Sequence, residues 1–74
     1  MTLRTSARNR LPGKVTKLKL GEVMAQIDIQ VGEHTITAAI TRDSAEDLAL
    51  KEGDEVVAII KSTEVMVGKL DGEA

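Results

Sequence analysis

The sequence predicts an all-β domain with one short helix, folded as a five-stranded, partly open barrel. Three observations point there. Apolar residues recur at every second position through much of the chain. Glycine-containing turns separate the runs. One segment, Arg42 to Leu50, breaks the alternation with helix formers.

The elements follow in order. Met1 to Arg10 is polar, and Pro12-Gly13 is a strong turn signal. From Lys14 to Leu20, Val15, Leu18 and Leu20 stand among lysines, a first short strand that Gly21-Glu22 ends. Val23, Ala25, Ile27, Ile29 and Val31 then fall at every second position, with Met24, Gln26, Asp28 and Gln30 between them. Period 2 with a polar opposite face is a half-buried antiparallel strand. Gly32-Glu33 is a short turn, and His34 to Thr41 resumes the alternation with Ile36, Ala38 and Ile40 on one face and β-branched threonines on the other.

In RDSAEDLAL, Arg42 to Leu50, Ser44 is placed to cap a helix whose first turn holds Glu46 and Asp47, with Leu48 packing inward. Lys51 to Asp54 turns the chain. Val56 to Ile60 is continuously apolar, the pattern of a strand buried on both faces, and Val65-Met66-Val67 is a final short strand. Asp71 to Ala74 is a frayed tail. Five short strands of this kind, closed by turns, indicate a barrel of the OB type, which also limits exposed sheet edges.

With 74 residues the chain is one domain, residues 1–74, whose isolated core is marginal. Cysteine is absent, so no disulfide, thiolate metal site or thiol nucleophile exists, and the single histidine, His34, cannot build a zinc site alone. Self-association and ligand binding remain as sources of added stability. The chain also lacks Phe, Trp and Tyr. Stacking platforms for single-stranded nucleic acid and aromatic cages for quaternary ammonium ions are therefore excluded. A net charge of −2, with both signs mixed along the chain, argues against a general polyanion surface. No apolar run approaches the ~20 residues of a membrane span, and no apolar stretch follows the basic N-terminus as in a secretory signal. The expectation is a cytoplasmic protein without membrane or nucleic-acid partners.

Three polar clusters lie at strand ends: Ser6-Ala7-Arg8-Asn9, Thr41-Arg42-Asp43-Ser44 and Lys61-Ser62-Thr63. A tetrahedral dianion accepts hydrogen bonds and donates none. Its best host is a pocket of N–H and O–H donors with one or two fixed cations. Arg8 offers a guanidinium fork and Lys61 a point charge. Ser6, Thr41, Ser44 and Ser62 offer hydroxyl donors, and a helix start near Ser44 would add backbone N–H groups. Each cluster also has a plainer reading: solvated coil at Ser6–Asn9, a helix cap at Ser44, a strand leaving the core at Lys61-Ser62. His34 reads as a turn residue, and Met24 and Met66 as packing residues.

Taken together the clusters resemble a known family. SARNRLPGKV (Ser6–Val15), GEVMAQIDIQVG (Gly21–Gly32), ITAAITRDSAEDLAL (Ile36–Leu50) and LKEGDEVVAIIKSTEVMVG (Leu50–Gly68) look like a molbindin, the free-standing Mop form of the transport-associated OB (TOBE) domain. The resemblance covers nearly the whole chain in order. It implies an OB-fold protein that binds molybdate or tungstate for storage, buffering or homeostasis of molybdenum. It further implies a homo-oligomer, a hexamer built as a trimer of dimers, with oxyanions at subunit interfaces. By similarity the contacts are Ser6, Arg8, Thr41, Ser44, Lys61 and Ser62, with Arg8 acting through its backbone N–H or its guanidinium. Molybdenum is held as the oxyanion, with no metal coordinated directly by protein and no organic cofactor.

Three other functions compete. A nucleic-acid-binding OB domain fits the fold but not the missing aromatics or the charge. A regulatory module could act only on a partner, because the chain carries no DNA-binding helix pair and no nucleotide loop. An enzyme would need paired carboxylates, a nucleophile with a base, or a phosphate loop, and none is present.

Overall fold

The alternation in Met24–Val31 builds the strand around which the rest is arranged. In the computed structural model, which describes residues 2–72, β1 (Asn9–Leu20), β2 (Met24–Val31), β3 (His34–Thr41) and β4 (Glu55–Ile60) form one antiparallel sheet in the order β3-β2-β1-β4. A six-residue helix α1 (Arg42–Asp47) joins β3 to the turn before β4, and a single 3-10 turn, η1 (Ser62–Glu64), follows β4. On β2, Ala25, Ile27 and Ile29 are buried. They form the core with Val15 of β1, Ala45 of α1 and Ala58 of β4. Three of those six residues are alanines, so the core is shallow.

β2 and β3 are a hairpin in full register from Met24↔Thr41 to Val31↔His34, closed by Gly32-Glu33. Gly32 sits at φ +59°, which a two-residue hairpin loop requires and glycine adopts without strain. His34 begins β3 beside this turn, as expected.

β1 is longer than expected. It runs straight through Pro12-Gly13, where a turn was predicted. Its first half, Asn9 to Lys14, pairs with β4, and its second half, Lys14 to Leu20, pairs with β2. Around Pro12 a strand lies on one side only, so a residue without an N–H is tolerated there. Gly13 leaves no room for a side chain against β2. A Cβ at Gly13 would lie 2.5 Å from the Gln30 carbonyl oxygen and 2.8 and 2.9 Å from methyls of Ile29 and Val31. Only glycine lets the two backbones meet. A bulge follows at Thr16: Val15 opposes Ile29 and Lys17 opposes Asp28, with Thr16 as the extra residue.

The five-stranded OB-type barrel is not formed. The sheet has four strands, its edge strands β3 and β4 are not joined, and among the described residues no fifth strand exists. After Ile60 the chain turns into η1 and leads away from the sheet. Val65-Met66-Val67, expected as the last strand, makes no sheet pairing. Met66, Val67 and Leu70 are 93%, 92% and 96% exposed. Between β3 and β4 there remains an open apolar trough of about 480 Å³, walled by Ile27, Ile36, Ile40, Leu50, Val56 and Ile60. The radius of gyration, 14.3 Å, exceeds the roughly 11 Å of a compact chain of this length because the tail projects.

Smaller expectations also change: Leu48, expected to pack inward, is 66% exposed. β4 is an edge strand whose Ile59 is exposed, not a strand buried on both faces. Met24 and Met66 are exposed rather than packed. Of the tail Asp71 to Ala74, Glu73 and Ala74 lie outside the described residues.

Candidate functional site

The first cluster is built where β1 begins and β4 ends. Asn9 opposes Ile60, and Asn9 Nδ2 donates to the Ile60 carbonyl at 3.2 Å, clamping the N-terminal segment beside the residues after β4. Thr5 Oγ1 accepts the Ala7 N–H at 3.2 Å and shapes the approach. On the other side, the Glu64 N–H donates to the Lys61 carbonyl at 2.9 Å, closing η1, whose Ser62 and Thr63 line the same space as the N-terminal segment. The result is a shallow cleft of about 440 Å³ that brings together Ser6, Arg8, Lys61 and Ser62 from opposite parts of the chain. Thr5 and Thr63 also line it.

This cleft holds four hydroxyls and two cations and no carboxylate. Among the described residues, Arg8 and Lys61 form no ion pair. Donors without acceptors, with unneutralised positive charge, suit a small anion that only accepts. Thr5 and Thr63 were not among the sequence candidates. Thr63 continues the Lys-Ser-Thr run and could have been included on that ground. Thr5 gave no signal, because a coil residue becomes a wall only through the Asn9 clamp.

Thr41 and Ser44 lie elsewhere. Thr41 opposes Met24, next to the Leu20 end of β1, whereas Ser6 and Arg8 precede its Asn9 end. The intervening strand is up to about 36 Å long at ~3.3 Å per residue. The structure therefore gathers four of the six candidates in one cleft and leaves two at the opposite end of the same chain.

The local chemistry at that second end also differs from expectation. Thr41, not Ser44, is the helix cap: Thr41 Oγ1 accepts the Ser44 N–H at 3.1 Å. Thr41 in turn donates to Ser44 Oγ at 2.8 Å, which leaves the Ser44 hydroxyl proton directed away from Thr41. The cap therefore lies three residues before the predicted one. Arg42 fixes this corner. Its Nε pairs with Glu46 at 3.1 Å, its Nη1 donates to the Gly21 carbonyl at 3.1 Å, and its N–H donates to the Val23 carbonyl at 2.8 Å. Arg42 is thus committed to structure, whereas Arg8 and Lys61 are available.

Among the described residues no group of three His, Cys, Asp or Glu side chains is assembled for a metal cation. No described helix is long and apolar enough to cross a membrane.

Comparison with known proteins agrees with the resemblance. A model of the TOBE domain matches residues 5–67. Molybdenum-pterin-binding protein 1 of Clostridium pasteurianum is 49% identical over 63 residues, spanning 84% of this chain and 93% of that protein. A high-resolution structure of a molybdate-binding protein from Sporomusa ovata superposes with a TM-score of 0.86 at 42% identity, over 90% of this chain and all of that one. MopII from Clostridium pasteurianum in an apo form superposes at 0.85 with 46% identity, over 89% of this chain and all of that one.

Proposed function

The chain belongs to the TOBE-domain family, in the molbindin (Mop) group, and from that premise we propose that it binds molybdate as the free oxyanion. The observation that carries this reading is the carboxylate-free cleft of hydroxyls with Arg8 and Lys61, in a chain similar over nearly its whole length to a molybdate-binding protein. The function is binding, not catalysis. Tungstate, with the same charge and shape, is a second ligand of the same pocket. Sulfate is smaller, so donors set for molybdate would stand too far from its oxygens. In this reading the protein is a cytoplasmic store or buffer.

Ser6, Arg8, Lys61 and Ser62 form one half of the binding set, and Thr41 and Ser44 the other. Since the halves lie at opposite ends of β1, a pocket using both draws them from different subunits. The hexamer, a trimer of dimers, is the assembly we propose. The shallow core, the open trough and the exposed Val65–Leu70 support association, because a monomer would leave all of that apolar surface in water. A shared pocket also makes ligand and assembly reinforce each other by mass action.

Isothermal titration of the oxyanion-free protein with molybdate, with sulfate and phosphate as controls, tests the reading. Heat with molybdate and not with sulfate is expected, at a stoichiometry below or equal to one per chain. Equal heats for all three anions, or none, would remove it.

A further inference from the structure

The ten cations are not spread evenly. Arg4, Arg8, Arg10, Lys14, Lys17 and Lys19 fall within the first twenty residues, and none of the twelve carboxylates does. The remaining chain is strongly acidic. The strand β1 therefore carries positive charge into the middle of a sheet in which β2 and β4 hold one carboxylate each, Asp28 and Glu55, and β3 none.

The bulge decides where that charge points. Simple alternation from Val15 would turn Lys17 to the core side and Leu18 to solvent. With Thr16 as the extra residue, Val15 and Leu18 both face the core and Lys14, Lys17 and Lys19 all face out. The three lysines oppose Gln30, Asp28 and Gln26, which are spaced by two residues on β2. They form an even row at a pitch of roughly 7 Å. That pitch is close to the Debye length of about 8 Å at physiological ionic strength, so their fields merge.

Two carboxylates stand against the row, Glu55 opposite Lys14 and Asp28 opposite Lys17, and the three lysines with Arg10 outnumber them. Asp28, the carboxylate opposite Lys17, accepts instead from Thr37 Oγ1 at 3.1 Å and Gln26 Nε2 at 3.4 Å. Among the described residues neither Lys14, Lys17 nor Lys19 forms an ion pair. At one end the row leads by way of Arg10 to the cleft of Ser6, Arg8, Lys61 and Ser62. At the other it stops one residue short of Leu20, beside the corner that holds Thr41 and Ser44.

We propose that Lys14, Lys17 and Lys19 form an electrostatic track that captures small dianions and steers them toward the binding residues at its two ends. The chain has a net charge of −2, so its mean field opposes a dianion, and a local positive strip on the outer face overcomes this. The lysines set the association rate and make no contact in the bound state. The proposal rests on the oxyanion reading above.

The test is association kinetics. The chain has no cysteine, so a fluorophore on His34→Cys labels one exposed position at the β2–β3 turn, outside the candidate binding residues and the apolar tail. Association with molybdate is followed by stopped flow at low and high salt, and dissociation by mixing the loaded protein with excess unlabelled protein. Lys17→Glu/Lys19→Glu is compared with Lys51→Glu/Lys69→Glu, which changes the net charge equally away from the row. For the first pair kon falls about tenfold at low salt, the difference closes at high salt, and koff is unchanged. The control pair shows a much smaller change. Lys17→Gln/Lys19→Gln, checked for an unaltered melting temperature, gives an intermediate loss and replaces the charge reversal should that variant not fold. Equal kon in the two double variants, or a loss residing in koff, overturns the track. Failure of the parent protein to bind molybdate is a separate result and overturns the oxyanion reading on which the track rests.

Discussion

The Thr41 hydroxyl holds Ser44 twice, accepting its N–H at 3.1 Å and donating to its Oγ at 2.8 Å. The two residues therefore divide their work. Thr41 closes the start of α1, and Ser44 keeps a free hydroxyl proton that its neighbour polarises.

Thr41→Ala removes the cap and is expected to cost about 1 kcal/mol of stability, whereas Ser44→Ala keeps the backbone N–H that donates to the cap and costs less than about 0.5 kcal/mol. Urea unfolding followed by far-ultraviolet circular dichroism measures both, since a chain without aromatic residues gives no fluorescence signal. Equal losses in the two variants would mean that Ser44 is structural.

For the oxyanion, Lys61→Ala and Ser44→Ala are each expected to weaken molybdate binding about 10- to 100-fold, the loss of one charge-assisted bond of about 1.5–3 kcal/mol. Neither should shift the melting temperature of the ligand-free protein by more than a few degrees. Titration calorimetry decides. Unchanged affinity in both variants would show that the binding residues lie elsewhere.

Gly13→Ala places a methyl 2.5 Å from the Gln30 carbonyl oxygen, a backbone atom that cannot swing aside. The strands must separate, and a loss of about 3 kcal/mol is expected. A denaturation midpoint within error of the parent would mean that β1 and β2 are not held this close in solution.

Ala49 takes φ +51° directly after α1. Its N–H donates to Glu46 O at 2.9 Å, and the Leu50 N–H donates to Ala45 O at 3.1 Å, the paired bonds of a helix end that favours glycine. Ala49→Gly removes the side-chain strain and is expected to stabilise by up to about 1 kcal/mol, net of the added freedom of the unfolded chain. Thermal unfolding would show a higher midpoint; a lower one would place the helix end in another conformation.

Strand β2 and the β2–β3 hairpin were legible because one face is buried, and burial writes period 2 into the sequence. β1 was half hidden. Pro12-Gly13 has the composition of a turn, and only the close approach to Gln30 explains why the strand passes through it. The bulge was missed, because Lys14–Leu20 reads as a plain short strand; its trace is the spacing of three between Val15 and Leu18, since two inward residues cannot be three apart in a regular strand. The fifth strand failed for a different reason: Val65-Met66-Val67 has strand composition, but composition does not supply a partner edge. At the candidate site, the sequence showed three donor clusters. It could not show that Ser6–Arg8 meets Lys61-Ser62 in one cleft while Thr41 and Ser44 stand apart, because that depends on the pairing of Asn9 with Ile60.

The extra residue at Thr16 is the one position in this half of the strand that the pairing with β2 does not need. Many residues could replace Thr16, whose hydroxyl contributes only an exposed 3.3 Å bond to the Asp28 carbonyl. Removing the position altogether would leave Val15, Lys17 and Leu18 in regular alternation, with Lys17 still opposite Asp28 and Leu18 still opposite Ile27. A single-codon deletion here thus costs the added twist of the bulge but not the sidedness of the strand, whereas a residue inserted between Lys17 and Leu20 would reverse the faces beyond it.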